Sequence, residues 1–301
     1  MKSAKPTISL RRSLRTRMAI LAACAVVLVG VSFLLFALRP ITEQVAEHQF
    51  SDAAREMIVR LDQTFNPVEQ ALRISRESIQ AAVPDTDTPE AFNHLLQPIL
   101  KSTAHISSAV GGTSTGEGWM LLKKPDGGWV SRLSDIGKRG NEQRFFETLP
   151  DGRTLAHSEK VDYDPRQRAW YRAAISESGV VQWTQPYTFF TTGDPGITAS
   201  IHFKLRDDRE FVLGLDVMLR DLSDLTEHAP IGKSGFSVLL TDDLKVLSLP
   251  PLPPGTEQAH WEQNLLKAAS ALNMAPLTDA IQRFAERDEH AAITYASGGS
   301  D

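Results

Sequence analysis

Aromatic and guanidinium side chains are concentrated in one segment, Tyr163–Ala173, which reads Tyr-Asp-Pro-Arg-Gln-Arg-Ala-Trp-Tyr-Arg-Ala. Trp170 and Tyr171 closely follow Arg168, and Tyr163 lies five residues before that arginine. A guanidinium offers five N–H donors in a planar fork that matches a carboxylate or a phosphate. Tryptophan and tyrosine add flat apolar faces, each with one polar group. The segment therefore predicts a pocket for a small anionic or zwitterionic organic molecule.

The same residues also allow a purely structural interpretation. Arg168 could be a partly buried arginine that pairs with Asp164 or Asp216, and the neighbouring aromatic side chains could belong to the core, where such rings are common. Asp164 and Arg166 are interpreted as residues that hold the loop. Composition alone leaves both interpretations open.

Composition excludes some classes of partner. The chain has 301 residues, enough for one large or two small domains, and 42% of them are hydrophobic, so a core can form. The formal net charge of −5 argues against a nucleic-acid partner. Cys24 is the single cysteine, so no disulfide can form within the chain. No sequence motif indicates a cofactor or a metal site.

An uncharged apolar stretch near the N-terminus predicts a membrane anchor. Residues Met18–Leu38 contain no charged side chain, and a helix of this length spans about 32 Å, close to the thickness of a bilayer core. Six lysines and arginines precede it without any acid. The positive-inside rule therefore predicts a cytosolic tail of residues 1–17 and export of residues 39–301. A cleaved signal peptide is the alternative, but its apolar core is normally shorter, about 7–15 residues.

A long helix is predicted to follow the anchor, over Thr42–Ala82. Apolar residues recur there at steps of three and four, which is one face of a helix: Leu61, Phe65, Val68, Leu72 and Ile79, with Ser75 in one slot. Asn66-Pro67 is expected either to kink this helix or to cap a second one. The apolar stripe can pack against the core, and it can also form a stalk between two copies in a homodimer.

The centre of the chain predicts an antiparallel sheet. A short helix is expected after Thr88-Pro89-Glu90, and a Lys-Pro-Asp-Gly-Gly hairpin follows it. Short runs rich in apolar and β-branched residues predict the strands Ile106–Val110, Trp119–Leu122, Trp129–Leu133, Val180–Trp183, Ile197–Leu205 and Phe211–Met218. Strands in meander order flanked by helices indicate an α+β fold.

The last third of the chain predicts a smaller and incomplete domain. A helix is expected over Leu219–His228. Further expected elements, in order, are a strand pair Phe236–Leu240 and Val246–Leu249, a linker Pro250–Gly255, helices Gln258–Ala271 and Leu277–Arg287, and a strand Ala291–Tyr295. Because so few strands do not make a stable sheet, we expect either an incomplete small domain or part of a longer protein.

Several separated segments resemble one known family. They are Asp164–Tyr171, Pro186-Tyr187, Ile197-Thr198 and Gly214–Asp216, and together they resemble the double Cache sensor domains of bacterial chemoreceptors, histidine kinases and cyclic-nucleotide enzymes. The resemblance implies a bacterial inner-membrane protein with PAS-like domains outside the cytosol. It assigns 1–17 to a cytosolic tail, 18–38 to a transmembrane helix, 42–82 to a stalk helix, 83–228 to a membrane-distal ligand-binding domain and 229–301 to a truncated membrane-proximal domain.

The resemblance also implies roles for individual residues. An amino-acid-binding subgroup of this family has a tyrosine, an arginine five residues later and then Trp-Tyr, followed by further tyrosine and aspartate positions. By this resemblance Arg168 and Trp170 would hold the carboxylate of a ligand. Tyr171 and Asp216 would contact its amino group. The walls would be formed by Tyr163 and Tyr187.

One position departs from the subgroup. Phe189 stands where the subgroup has its first aspartate, so one acceptor for an ammonium group is missing. The departure favours a simple carboxylic acid, or one with a modified amine, over an ordinary amino acid. The partners expected are therefore a small carboxylate or amino-acid ligand, the membrane and a second copy of the chain.

No catalytic constellation is found in the sequence. Gly112-Thr113-Ser114-Thr115-Gly116 matches the string of a nucleophile elbow, but a strand rather than a helix is predicted after it. Gly232-Lys233-Ser234 resembles the end of a phosphate loop, yet Glu227 occupies the position of the first glycine. We therefore expect a sensor rather than an enzyme. A membrane-anchored extracytoplasmic enzyme and a ligand-free scaffold are the alternatives.

Overall fold

The computed structural model describes residues 10–34, 39–82, 84–227, 231 and 235–285. Contacts divide the chain into two compact units. The described part of the smaller unit ends at Ala54, and the larger unit runs from Arg55 to Arg287. Within the ranges just given, no helix combines the length and apolar content that a membrane crossing requires. Residues 35–38 of the expected anchor lie outside the described residues.

Eight helices and nine strands are found in the described residues. The helices are α1 (Leu10–Phe33), α2 (Arg39–Ala82), α3 (Glu90–Ser102), α4 (Ile136–Arg139), α5 (Ala169–Ala174), α6 (Leu219–Glu227), α7 (Gln258–Glu262) and α8 (Ala275–Ala285). The strands are β1 (Ser108–Thr113), β2 (Glu117–Lys123), β3 (Trp129–Asp135), β4 (Glu142–Thr148), β5 (Thr154–Lys160), β6 (Val181–Trp183), β7 (Tyr187–Thr188), β8 (Pro195–Lys204) and β9 (Glu210–Met218).

All nine strands join in one antiparallel sheet. Its order is β5-β4-β3-β2-β1-β9-β8-β6, and β7 pairs with β8. Strand β9 pairs with β1, although about a hundred residues separate the two strands in sequence. The α+β class predicted from the sequence is confirmed.

The long helix α2 is continuous through its internal Pro67, so Asn66-Pro67 does not begin a second helix. Val68, Leu72 and Ile79 on the predicted stripe are fully buried in the hydrophobic core. Ser75 fills its slot on the stripe by donating its hydroxyl to the carbonyl of Ala71, 2.7 Å away. The stripe therefore packs in the core, while the expected dimer contact remains a prediction.

The sheet buries one face against helices. Trp119, Leu121 and Leu213 are buried on this face and belong to the same hydrophobic cluster as residues of α2 and α3. Because side chains alternate along a strand, their neighbours in sequence point to the opposite face. That opposite face carries the polar residues considered in the next subsection.

Strands β4, β5 and β7 were not predicted. All seven residues of β5 are exposed, and the strand pairs only along its β4 side. Its sequence Thr-Leu-Ala-His-Ser-Glu-Lys lacks the apolar alternation of a half-buried strand. Such a strand is held by its hydrogen-bond ladder rather than by burial, and hydrophobic periodicity does not reveal it.

The strand pair predicted in the last third is reduced to a short antiparallel contact. Within residues 235–285, pairing in this region is limited to isolated bridges, such as Leu240 with Val246. The predicted strands Phe236–Leu240 and Val246–Leu249 do not form there. Packing compensates for the missing ladder, because Val246 and Leu249 are buried with Leu219 and Trp261 in a second hydrophobic cluster. The expected strand Ala291–Tyr295 lies outside the described residues.

One predicted helix of this region is also shorter than expected. The helix expected over Gln258–Ala271 ends with α7 at Glu262. Leu266 then adopts a left-handed backbone with φ of 63°, which an α-helix cannot include. A separate 3-10 turn follows at Ala269–Leu272.

Candidate functional site

The polar face of the sheet forms the floor of a cavity. The floor side chains come from every second position of four strands: Ser108 and Val110 on β1, Met120 and Leu122 on β2, Arg132 on β3, and Asp216 and Met218 on β9. Strand register fixes their neighbours. Asp216 lies opposite Ser108 on one side and Thr198 on the other.

A turn and the short helix α5 cover part of this floor. The Asp164 side chain accepts a hydrogen bond from the Arg166 backbone N–H and pairs with the Arg166 guanidinium at 2.7 Å. These bonds from Arg166 hold the pKa of Asp164 below its usual value. Asp164 and Arg166 thus fix the turn at Pro165–Gln167, as expected, and the turn delivers Arg168 to the cavity.

Five of the six predicted binding residues line the cavity: Tyr163, Arg168, Trp170, Tyr187 and Asp216. The sixth, Tyr171, does not. It is buried in a hydrophobic cluster with Ala174 and Val212, and its ring meets the edge of Trp170 at 5.7 Å between centroids. The structure therefore places Tyr171 as packing for Trp170.

Two guanidinium groups meet at one end of the cavity. The Arg132 carbon Cζ lies 3.8 Å from the ring centroid of Tyr163, and Cζ of Arg168 lies 5.6 Å from the same ring. Both also lie against Phe190, at 5.5 Å and 5.2 Å. Stacking of this kind on an aromatic face stabilises a cation.

Arg132 is the more deeply buried of the two arginines. Its side chain is nearly inaccessible, and burial lowers its pKa. Its Nη1 donates to the hydroxyl of Thr191, 3.0 Å away. Across residues 10–285, apart from the gaps stated above, no carboxylate forms an ion pair with Arg132 or Arg168 within 4.0 Å.

Asp216 marks the other end of the cavity. Its two carboxylate oxygens accept hydrogen bonds from the hydroxyls of Ser108, at 2.5 Å, and Thr198, at 2.6 Å. The Tyr187 hydroxyl lies 2.7 Å from that of Thr198 and extends the network. Burial raises the pKa of Asp216 to about 6, and the two hydroxyls and Arg132 oppose the rise. Burial likewise raises the pKa of Tyr187.

Phe189 makes the adjoining wall apolar. It is buried, lines the cavity and meets Tyr187 edge to face at 5.3 Å. Gly196 makes room for it, since a Cβ on Gly196 would lie 2.0 Å from the Phe189 ring. At the position where the resemblance expects an aspartate, the structure thus has a closely packed ring.

The sequence interpretation missed Arg132, Ser108 and Thr198 as parts of this site. Arg132 carried a signal, because it lies in the predicted strand Trp129–Leu133 between apolar residues, where a buried charged side chain needs a partner. The hydroxyl residues carried none, since serine and threonine are common everywhere. Their importance depends on register, which brings them beside Asp216.

One of the two rejected motifs falls in the described residues, whereas Gly232-Lys233-Ser234 lies outside them. Gly112–Gly116 ends β1 and turns directly into β2, so it is a hairpin and not a strand-to-helix elbow. Among the side chains that the structure describes, no group of three or more His, Cys, Asp and Glu could hold a metal ion. The arrangement can bind an organic ion, with cations at one end, a carboxylate and hydroxyls at the other, and aromatic walls between them.

No protein-family model matches the chain. Its sequence is similar to curated bacterial chemoreceptors. It is 35% identical to the methyl-accepting chemotaxis protein TlpB of Bacillus subtilis over 143 residues, which is 47% of this chain and 20% of TlpB. A probable methyl-accepting chemotaxis protein of Bacillus thuringiensis is 36% identical over 107 residues, 36% of this chain and 14% of that protein. The chain thus spans a fifth or less of the length of these relatives.

Another relative is named as an enzyme rather than as a chemoreceptor. Adenylate cyclase 1 of Rhizobium meliloti is 33% identical over 125 residues, 40% of this chain and 18% of the cyclase. Among solved structures, the ligand-binding domain of the Campylobacter jejuni chemoreceptor Tlp3, in complex with 4-methylisoleucine, is 16% identical with a TM-score of 0.48, covering 80% of this chain and 78% of that one.

The sequence relatives confirm the recognition made from the motifs. Over part of its length, this chain is similar to bacterial chemoreceptors, one of the protein classes that the resemblance to double Cache sensor domains implies. The relatives support a sensor region rather than a catalytic domain.

Proposed function

We propose that this chain is the extracytoplasmic sensor region of a bacterial membrane receptor, and that its cavity binds a small carboxylate-bearing metabolite, either an amino acid or an organic acid. The observation that carries the proposal is the cavity itself. Five residues anticipated from the sequence converge on it, and they place guanidinium groups and a carboxylate among aromatic walls. Two arginines that line one cavity, Arg132 buried and Arg168 half-buried, are typical of a site that binds an anion.

Ligand entry requires a movement of the cover. The cavity measures about 30 Å³, room for about two water molecules. An organic acid is larger, so the exposed segment Phe190–Thr192, which lines one side, must move outward to admit it. The ligand shifts the balance between two arrangements of this segment by its difference in affinity for them. Such a shift is the signal that a sensor region transmits.

The proposal includes a membrane anchor at Met18–Leu38 and a homodimer that forms through the stalk Thr42–Ala82. The basic tail before the apolar stretch supports the orientation, with residues 39–301 outside the cytosol. The relatives support an input role. Similarity to both a chemoreceptor and a cyclase, over a fifth or less of each, is what an input region combined with different outputs would give.

Binding by the purified full chain in detergent tests the proposal. We expect at least one small carboxylate in a metabolite panel to raise the melting temperature, because a ligand specific for the native state stabilises it. In isothermal titration, Arg168→Gln should weaken binding of that compound by about tenfold to a hundredfold, since a charge-assisted hydrogen bond is lost.

Arg172→Gln is the matched control for Arg168→Gln. Arg172 lies on α5, one turn after Arg168, which immediately precedes that helix, but it is exposed and outside the cavity lining. It should bind like the wild type. If no carboxylate in the panel binds, or if both arginine variants bind the ligand equally well, the proposed site is refuted.

A further inference from the structure

The charges around the cavity do not balance. Arg132 and Arg168 contribute two cations, whereas Asp216 is the acidic residue of the lining. Arg132 donates a hydrogen bond to a neutral hydroxyl, that of Thr191. A buried guanidinium without an anion is costly, and a carboxylate is a far better acceptor than a hydroxyl. The cation end of the cavity is therefore suited to an anion that contacts both arginines.

The opposite end offers little to an ammonium group. Both oxygens of Asp216 already accept short hydrogen bonds from Ser108 and Thr198. Phe189 presents a ring where a second carboxylate would be needed. An ammonium placed here would lose its hydration, and the cavity would then hold three cations against the two carboxylates of Asp216 and the ligand, which is an unfavourable balance.

The remaining lining is apolar. Val110, Met120, Leu122 and Met218 form the floor between the two ends. Such a surface favours a hydrocarbon body over a polar one, because it buries apolar area without offering hydrogen bonds.

We infer that the cavity selects amine-free organic acids, whose carboxylate accepts hydrogen bonds from both Arg132 and Arg168, over amino acids of the same carbon skeleton. This inference rests on the proposed function and narrows its ligand class. It also makes Arg132, which the sequence did not single out, a binding residue of equal rank with Arg168.

Matched pairs of compounds test the selection on the wild-type chain. The pairs are propanoate with alanine, 3-methylbutanoate with valine, 4-methylpentanoate with leucine, 3-phenylpropanoate with phenylalanine and succinate with aspartate. Each pair differs by one ammonium group. Titration at neutral pH should show at least one amine-free acid that binds tenfold or more tightly than its amino-acid partner.

The results separate the inference from the proposed function. Amino acids that bind as tightly as their amine-free partners, or more tightly, would overturn the inference and leave the sensor proposal in place. If no compound of any pair binds, the proposed function itself is contradicted, and the inference with it.

Variants then test the role of Arg132. Arg132→Gln should weaken binding of the preferred acid tenfold or more, and Arg132→Lys, which keeps the charge, should recover part of that loss. Arg153→Gln, on an exposed turn between β4 and β5, removes a guanidinium from the surface and should change nothing.

The melting temperature without ligand shows whether each variant is folded. If Arg132→Gln does not fold, binding of the acid by Arg132→Lys and the matched pairs of compounds still test the inference. If Arg132→Gln and Arg132→Lys are both folded and both bind the acid like the wild type, Arg132 has only a structural role. This result would refute its assignment as a binding residue.

Discussion

Asp216 is a buried carboxylate in the middle of the sheet, and its protonation should affect stability. Burial raises its pKa in the folded chain to about 6, above the ordinary value of 3.8. The folded state therefore binds this proton more tightly than the unfolded state. The resulting stabilisation is fully present below about pH 4 and is lost as the pH rises through about 6.

Replacing Asp216 with asparagine should remove this dependence. We expect the free energy of unfolding of the wild type, relative to Asp216→Asn, to fall by about 2 kcal/mol between pH 4 and pH 7. Urea unfolding at steps of half a pH unit measures the difference, and all other carboxylates cancel because both chains contain them. Parallel curves for the two chains would show that Asp216 titrates normally.

At the scale of elements, the site depends on how closely the turn Pro165–Gln167 approaches strand β1. Gly112 on β1 permits this approach, since a Cβ there would lie 2.9 Å from Cβ of Pro165 and 3.2 Å from the Trp170 ring. The turn leads directly to Arg168. Tight packing at one glycine thus sets the position of a proposed binding residue.

Gly112→Ala should therefore reduce both stability and binding. Overpacking of this kind costs about 1–3 kcal/mol, and the displaced turn should carry Arg168 away from the ligand. Chemical unfolding and titration of the preferred acid measure the two effects. Gly137→Ala is the control, because only one atom, 3.6 Å away, lies within contact distance of its added Cβ. Unchanged binding in Gly112→Ala would show that the turn tolerates the shift.

At the scale of the whole molecule, assembly remains to be tested. Helix α2 buries its stripe against the core, yet Val59 and Ile74 on the same helix are exposed and lie about 60° apart around its axis. Exposed aliphatic residues on one side of a long helix are suited to contact a second copy. The proposed homodimer would use this surface.

Val59→Glu combined with Ile74→Glu should shift the full chain in detergent from dimer to monomer, because facing carboxylates repel each other and the apolar contact is lost. Sedimentation equilibrium with correction for bound detergent measures the mass. Arg73→Glu, also exposed on α2, controls for the added charge. A wild-type chain that is monomeric at high concentration would refute the stalk dimer.

Much of the central fold could be predicted from the sequence. The strands with apolar alternation and the stripe of α2 were identified, because burial imposes a period on the sequence. The exposed β5 and the two-residue β7 were missed because ladder hydrogen bonds leave no such period. In the last third, helices α6 and α8 were predicted. The strand pair and the long helix over Gln258–Ala271 were predicted incorrectly because the apolar runs there pack as loops, with Leu266 in a conformation that propensity does not anticipate.

The sequence alone determined that an arginine and several aromatic side chains are available near one another, since Tyr163, Arg168 and Trp170 are neighbours in the chain. Only the tertiary structure decided that Arg132 joins them and that Tyr171 does not line the cavity. Strand register and the side of the sheet on which a residue falls depend on contacts between distant segments. A local sequence pattern indicates which functional groups are available, but long-range packing determines which side chains lie together in one site.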